Sequence, residues 1–170
     1  MTYYDKLITQ SIMTTKEILQ GIPGMLRPFK GFIEGLKEGT GNQIVFYGVP
    51  GTCTPFVELL CYAIRTLSYE YVFVPFVDET NAVLLEERKN VGFQAGKTIP
   101  ITRPAALVIM GGLAMPQIPV TKDQVAAVIA THTGVPCIGI CFMHMFEKEG
   151  WFDKVTFDNL IDANFEVTVN

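Results

Sequence analysis

Hydrophobic and polar positions along this chain change their period near residue 42. Before it, Leu7, Ile8, Ile12, Ile18 and Leu19 fall on one helical stripe, which Gly21, Pro23 and Gly24 break. Pro28 then opens a second short helix carrying Phe29, Phe32, Ile33 and Leu36 on one side, with Gly39 to Gly41 ending it. Beyond that point short apolar runs alternate with turn residues. Ile44–Tyr47 predicts a first strand that enters the turn Gly48-Val49-Pro50-Gly51-Thr52-Cys53, after which Thr54 caps and Pro55 starts a helix to about Leu67. Tyr71–Phe76 predicts a second strand, ending at Asp78 and Glu79. The acids and bases of Ala82–Asn90 predict a helix, followed by an irregular stretch through Gly92, Gly96, Pro100 and Pro104. Ala106–Met110 predicts a third strand ending in Gly111-Gly112, and Thr121 caps a helix to about His132. Gly134-Val135-Pro136 turns into a fourth strand, Cys137–Cys141, then a helix over Phe142–Glu149, and the alternation of Phe165–Val169 predicts a fifth strand.

Strands alternating with helices predict an α/β fold with a mostly parallel sheet covered on both faces. Five strands of this kind predict a flavodoxin-like three-layer sandwich of order 2-1-3-4-5. The chain reads as a single domain over 1–170, with residues 1–41 as a helical extension packed on an α/β core of 42–170. In such a sheet ligands lie where the winding reverses, at the carboxyl ends of strands 1 and 3. The Cys53 turn, the Gly111-Gly112 turn and Cys141 end strands 1, 3 and 4, which would be neighbours.

Composition narrows the picture. Only 18% of residues are charged against 49% hydrophobic, and from Pro104 to Phe146 the only charges are Lys122 and Asp123. A membrane span is not expected there, because Thr131, His132, Thr133, Gly134 and Pro136 interrupt the uncharged run. A net charge of −4 gives no footing for nucleic acid. Met1 to Ser11 carry Asp5 and Lys6 and no signal-like apolar run, so export is not expected. The four cysteines then read as thiols of a cytoplasmic protein.

The turn Gly48 to Thr54 places Gly48, Gly51, Thr52 and Thr54 before a helix N-terminus, where free N–H groups and the helix dipole favour a small anion. The same residues also suit a plain tight turn with a helix cap. The turn matches neither a Walker loop nor a dinucleotide fingerprint, although Asp78 falls roughly where a ribose-binding acid would stand. Cys53 lies beside that helix N-terminus and reads either as an activated thiol or as a small buried residue, while Cys61 and Cys137 read as core. Glu58, one turn further on, reads as a surface residue or as a base facing the same pocket. No C-x-x-C or H-x-x-x-H spacing occurs, so no metal site is expected from motif, and whether a cofactor is used stays open.

The segment Gly134-Val135-Pro136-Cys137-Ile138-Gly139-Ile140-Cys141 resembles the approach to the nucleophile of class I glutamine amidotransferases, and Val108-Ile109-Met110-Gly111-Gly112 resembles their oxyanion-hole glycines. The resemblance spans roughly residues 106–146. It implies Cys141 as nucleophile and Gly112 as an oxyanion donor. Met143 stands where that family has glycine, and its C-terminal base histidine has no counterpart; of the two histidines, His132 lies in a helix and His144 lies within reach of Cys141 across one turn, which is not the family's geometry. More broadly, Gly48 to Phe56, Gly111 to Pro116 and Cys141 to Phe146 resemble an uncharacterised domain-of-unknown-function family of methanogenic archaea. That resemblance implies an anaerobic cytoplasmic setting and brings no activity.

Two functional classes follow, and whether the protein is an enzyme stays open. One is a domain binding a small anionic molecule, or using a thiol, in a pocket lined by Cys53, Thr52, Thr54, Gly111, Gly112 and Cys141, with Asp78 and His144 nearby. The other is a non-catalytic homodimeric subunit or interaction module. Its sign is the helix 122–132, uncharged after Asp123, whose outer face would be covered by a second copy.

Overall fold

The longest apolar runs become the middle of a sheet. A computed structural model describes residues 16–170, so Leu7, Ile8 and Ile12 of the N-terminal stripe lie outside the described residues. The elements are α1 (Gly21–Glu34), β1 (Gln43–Gly48), α2 (Thr54–Ala63), β2 (Glu70–Pro75), β3 (Val83–Arg88), β4 (Gly92–Thr98), β5 (Pro104–Met110), α3 (Lys122–Thr131), β6 (Cys137–Phe142), α4 (Met145–Lys148) and β7 (Asn159–Ala163). They form one seven-stranded mixed sheet of order β4-β3-β2-β1-β5-β6-β7, where five strands had been expected. From β2 to β7 every neighbouring pair is parallel, and β3 and β4 are antiparallel.

Residue alternation along β1 assigns the helices to faces. The Phe46 ring lies 6.0 Å from Phe29 of α1, whereas the hydroxyl of the next residue, Tyr47, reaches His132 at the end of α3. On β6, Phe142 meets Phe56 of α2 at 4.4 Å. Thus α1 and α2 cover one face and α3 the other. The strands β1, β5 and β6 are buried almost along their whole length, which explains their unbroken apolar sequence.

Several expectations need correction. The second helix, expected to open at Pro28 after a break at Gly21–Gly24, instead starts at Gly21 and runs as α1 through Pro23, Gly24 and Pro28. Met25, Phe29 and Ile33, four residues apart, are buried, and that stripe holds the helix despite the N–H that Pro28 lacks. Ile18 and Leu19 precede it, exposed and outside any helix.

The helix expected over Ala82–Asn90 is the hairpin strand β3, and the irregular stretch after it contains β4. Leu, Glu and Arg favour helix, but the open side of β2 supplies a stronger partner. Leu85 and Phe93 are buried, and the Phe93 ring meets Tyr71 edge-on at 5.3 Å. Asn90 and Gly92, at φ 63° and 104°, turn the chain. The fifth strand is β7, not Phe165–Val169. Asp158 fixes that register: its N–H donates to the Cys137 carbonyl, and its carboxylate accepts from the Cys137 N–H. Pairing then starts at Asn159–Ile138 and ends at Ala163–Phe142. Beyond it Phe165 stacks on Phe142, while Val167 and Val169 stay exposed.

The uncharged window of the sequence is β5, α3 and β6. No helix among the described residues is long and apolar enough to cross a membrane.

Candidate functional site

The chain leaves β1 at Gly48 and turns through Pro50, Gly51 and Thr52, all exposed, into α2. Cys53 is the N-cap, and Thr54 is the first helical residue rather than the cap expected. Thr54 Oγ1 instead accepts the Gly51 N–H at 3.2 Å, and Gly51 has φ +79°. The Cys53 N–H is bound to Val49 O. Among the described residues the Thr52 and Thr54 N–H groups find no acceptor in the chain. Thr52 is exposed and Thr54 half-buried, so the turn offers free donors at a helix N-terminus.

Gly111 and Gly112 end β5 in one turn of 3-10 helix, between the two cysteines singled out above. The close approach explains both glycines. A Cβ on Gly111 would stand 2.9 Å from Cys141 Cα and 3.0 Å from its Sγ; one on Gly112 would stand 2.5 Å from Cys53 Sγ. Each sulfur therefore fills the space a side chain would take. Gly48 closes the same packing from β1, where a Cβ would meet Cys53 Cβ at 2.8 Å.

Both sulfurs are buried. Burial pushes the Cys53 thiol above its ordinary value, against the opposing pull of backbone groups at Val49 and Gly112. Burial likewise raises Cys141, although the Phe146 N–H donates to its Sγ at 3.3 Å. Burial pushes Cys137 up to about 12 and raises Cys61 well above the ordinary thiol value. All four cysteines are free. Because a raised pKa leaves less thiolate at neutral pH and burial hides what forms, every cysteine is expected to alkylate more slowly than a small free thiol at pH 7. Mass spectrometry of a timed iodoacetamide reaction checks this, with rapid labelling only after denaturant is added.

The two remaining residues singled out by sequence are engaged elsewhere. Asp78 is exposed and bound to its own turn: its carboxylate accepts from Thr80 N–H, Thr80 Oγ1 and Asn81 Nδ2, and the Thr80 and Asn81 side-chain bonds hold it below the usual carboxylate range. His144 faces β7, not Cys141. Its Nδ1 pairs with Asp162 Oδ2 and its N–H donates to Asp162 Oδ1 at 3.1 Å. Glu58 lines an open groove of about 840 Å³ between α2 and the β3–β4 hairpin, together with Tyr62, Arg88 and Phe93.

Strain after β6 falls beyond the cysteine. Met143 and His144 have φ 55° and 58°, while Cys141 remains in the strand. Met143 thus occupies a left-handed position that glycine takes without cost. Met143 is half exposed, so Met143→Gly is expected to stabilise the protein by about 1 kcal/mol by removing that strain. Urea unfolding checks the sign.

One cluster was not anticipated. The Tyr47 hydroxyl donates to Glu79 Oε1 at 2.7 Å, His132 Nε2 lies 2.7 Å from the same oxygen, and the hydroxyl and Nε2 are 3.5 Å apart. Tyr47 is fully buried, Glu79 follows β2, and His132 caps the end of α3. Burial, then the Glu79 carboxylate, push the Tyr47 phenol far above its usual value. The available sequence signal was a hydroxyl in an otherwise apolar central strand, which must find a partner.

The comparisons with known proteins agree on one group. The model of an archaeal family of uncharacterized conserved proteins, DUF2124, matches residues 20–166. An uncharacterized protein of Methanocaldococcus jannaschii is 34% identical over 160 residues, covering 93% of this chain and 96% of that protein. An uncharacterized protein of Methanothermobacter thermautotrophicus is 34% identical over 150 residues, covering 83% of this chain and 94% of that one. A crystal structure of a protein of unknown function from Methanothermobacter thermautotrophicus superimposes with a TM-score of 0.81 at 31% identity, covering 93% of this chain and 97% of that one. The chain belongs to the DUF2124 family of uncharacterized proteins conserved in archaea.

Proposed function

We propose that this is a ligand-binding domain of flavodoxin-like architecture, extended by the β3–β4 hairpin, with its site at the carboxyl ends of β1, β5 and β6. The ligand is a small anion such as a phosphate or carboxylate. The observation that carries this reading is the turn after β1: exposed Thr52 and half-buried Thr54 have N–H groups without acceptors among the described residues, at the start of α2 and at the point where the sheet's winding reverses between β1 and β5. Gly112, half-buried on the next strand end, borders the same turn: a Cβ placed there would stand 2.5 Å from Cys53 Sγ and 3.8 Å from the Thr52 methyl. Binding rather than thiol catalysis is favoured because both nearby sulfurs are buried with raised pKa values. Four free thiols suit a reducing compartment, so we place the protein in the cytoplasm.

An amide NMR titration with inorganic phosphate, pyrophosphate and acetate tests the reading. The Thr52, Thr54 and Gly112 amides are expected to shift together and to saturate. If those three stay still at millimolar concentrations of all three anions, the reading fails.

A second reading, compatible with the first, is a homodimer formed through α3. Val125 is the only buried residue of that helix, and Ala127, Ala130 and Thr131 stand exposed on a surface with no charge beyond Asp123. Light scattering should give twice the 18.9 kDa chain mass, falling to one chain in Ala127→Glu. A wild-type monomer removes the dimer.

A further inference from the structure

We infer that the outer edge of β7 is a contact between two copies of this chain, in which residues 164–170 of each copy continue β7 and pair antiparallel with β7 of the other. The surface is separate from the turn after β1 and from α3, and it rests on neither of those readings. β7 is the last strand of the sheet, paired with β6 on one side only. The Met143 N–H donates to the Ala163 carbonyl, so the odd-numbered residues of β7 turn their backbone groups toward β6 and those of Leu160 and Asp162 point outward. Residues 164–170 are exposed and, among the described residues, make no backbone hydrogen bond. They nevertheless alternate as a strand does, with Val167 and Val169 at 76% and 88% exposure.

One chain cannot pair this segment with its own free edge. The segment runs straight on from Ala163, and no glycine or proline occurs beyond Gly150 to build the tight turn that would fold it back. A second copy resolves both, because each copy brings one free edge and one strand without a partner. The opposite edge of the sheet is a poorer acceptor. There β4 carries Gly92, Gly96 and Lys97, residues that weaken or guard an edge, whereas β7 has no glycine, lysine or proline. The one charge on β7, Asp162, is held by His144.

The side chains select one register. A two-fold axis normal to the sheet keeps each face on its own side, so residues of like parity stand opposite one another. The Phe165 ring stacks on Phe142 at 5.8 Å, which puts Phe165, Val167 and Val169 on the face of Ile161 and Ala163. Placing Phe165 opposite its own copy sets Ile161 against Val169 and Ala163 against Val167 on that face. The other face then sets Asp162 against Thr168 and Asn164 against Glu166, so no like charges meet. Moving the axis to Asn164 sets Asp162 against Glu166, and moving it to Glu166 sets that carboxylate against itself. Moving it to Ala163 sets Asn159 against Val167 and Leu160 against Glu166. A single strand pair is a small contact, so it forms at higher protein concentration than a helix-face contact such as α3.

Disulfide trapping in the full chain tests the contact, with Ala127→Glu present throughout to silence α3. Phe165→Cys puts a thiol on the axis in a narrow pair with Cα atoms about 4.5 Å apart, within disulfide reach. Diamide oxidation across a concentration series, read by non-reducing electrophoresis, should give a linked dimer whose yield rises with concentration. The four native cysteines are buried, so the chain without Phe165→Cys is the blank. Ala163→Cys or Val167→Cys alone stands about 14 Å from its own copy and should link poorly, whereas the two variants mixed should link well. That mixture retains Phe165, so it carries the test if Phe165→Cys disturbs the packing on Phe142. Thr168→Pro removes a ladder donor from an exposed position, and it should reduce linking severalfold with an unchanged melting temperature. Phe165→Cys linking no faster than Ala163→Cys alone, a mixture linking no better than its members, or full linking with Thr168→Pro overturns the contact.

Discussion

Gly111→Ala is expected to destabilise the protein by about 3 kcal/mol, at the upper end of the cost of forcing an extra carbon into a packed core. The new Cβ would meet Cys141 Cα at 2.9 Å, a backbone atom of the neighbouring strand β6, so relief requires moving a strand. Gly112→Ala is the informative contrast. Its Cβ would clash with the Cys53 sulfur alone, at 2.5 Å, which is the end of one side chain, while the Thr52 and Val49 methyls stand at an ordinary 3.8 Å. The single substitution should cost about 2 kcal/mol, and adding Cys53→Ala should recover most of that because the obstructing atom is gone. Adding Cys141→Ala to Gly111→Ala should recover little, since the backbone contact remains. Urea unfolding of these four variants, and of Cys53→Ala and Cys141→Ala alone, measures both cycles. Equal rescue in the two would mean that the glycine pair is not interlocked with the cysteines as described. The outcome bears on function, because it separates cysteines retained as packing from cysteines retained for chemistry.

The parallel part of the fold was legible for a physical reason. A strand buried on both faces has no polar positions to preserve, so Ile44–Tyr47, Ala106–Met110 and Cys137–Cys141 stand out as apolar runs ended by turn residues. The Thr121 cap was legible because its signal is local: Thr121 and Gln124 form a reciprocal capping box. The β3–β4 hairpin was not, because its strand character comes from β2 beside it rather than from its own residues, which favour helix. Asn90 and Gly92 were the readable hint of its turn. The alternation of Phe165–Val169 misled, since a clean strand pattern forms a strand only where a ladder partner remains, and Asp158 had already committed β6 to Asn159–Ala163.

Legibility at the candidate site divides the same way. The glycine turns and cysteines announce themselves as short motifs, and the structure packs Cys53 against Gly112 and Cys141 against Gly111. What the motifs did not show is that their sulfurs fill the space, leaving exposed backbone at Gly51 and Thr52 as the accessible feature. The pairing of His144 with Asp162 was hidden because it depends on which segment becomes β7. The Tyr47–Glu79–His132 cluster was hidden because its members are 32 and 53 residues apart, with no spacing to give them away.

Phe146→Ala is expected to have the largest effect of all, a loss of about 4 kcal/mol. Phe146 is 1% exposed, and its ring lies 5.2 Å from Trp151 and 4.9 Å from Phe157. The crossover from β6 to β7 contains only the four-residue α4 and a 3-10 turn, elements too short to be stable by themselves, so this aromatic cluster is what fixes the connection. It also reaches the site. The Phe146 N–H donates to Cys141 Sγ, and the left-handed pair Met143–His144 is held between β6 and the start of α4. Losing the ring should therefore loosen the cover over Cys141. The expected signature is a drop in unfolding free energy together with weakened near-ultraviolet circular dichroism from Trp151 and faster alkylation of Cys141, while Cys53 and Cys137 keep their slow rates. Phe152→Ala is the control: that ring is 51% exposed and only 6.4 Å edge-on to Phe157, so its loss should cost less than about 1 kcal/mol. If the two substitutions prove equally costly, or if Cys141 stays slow in Phe146→Ala, the aromatic cluster is not what closes this end of the sheet.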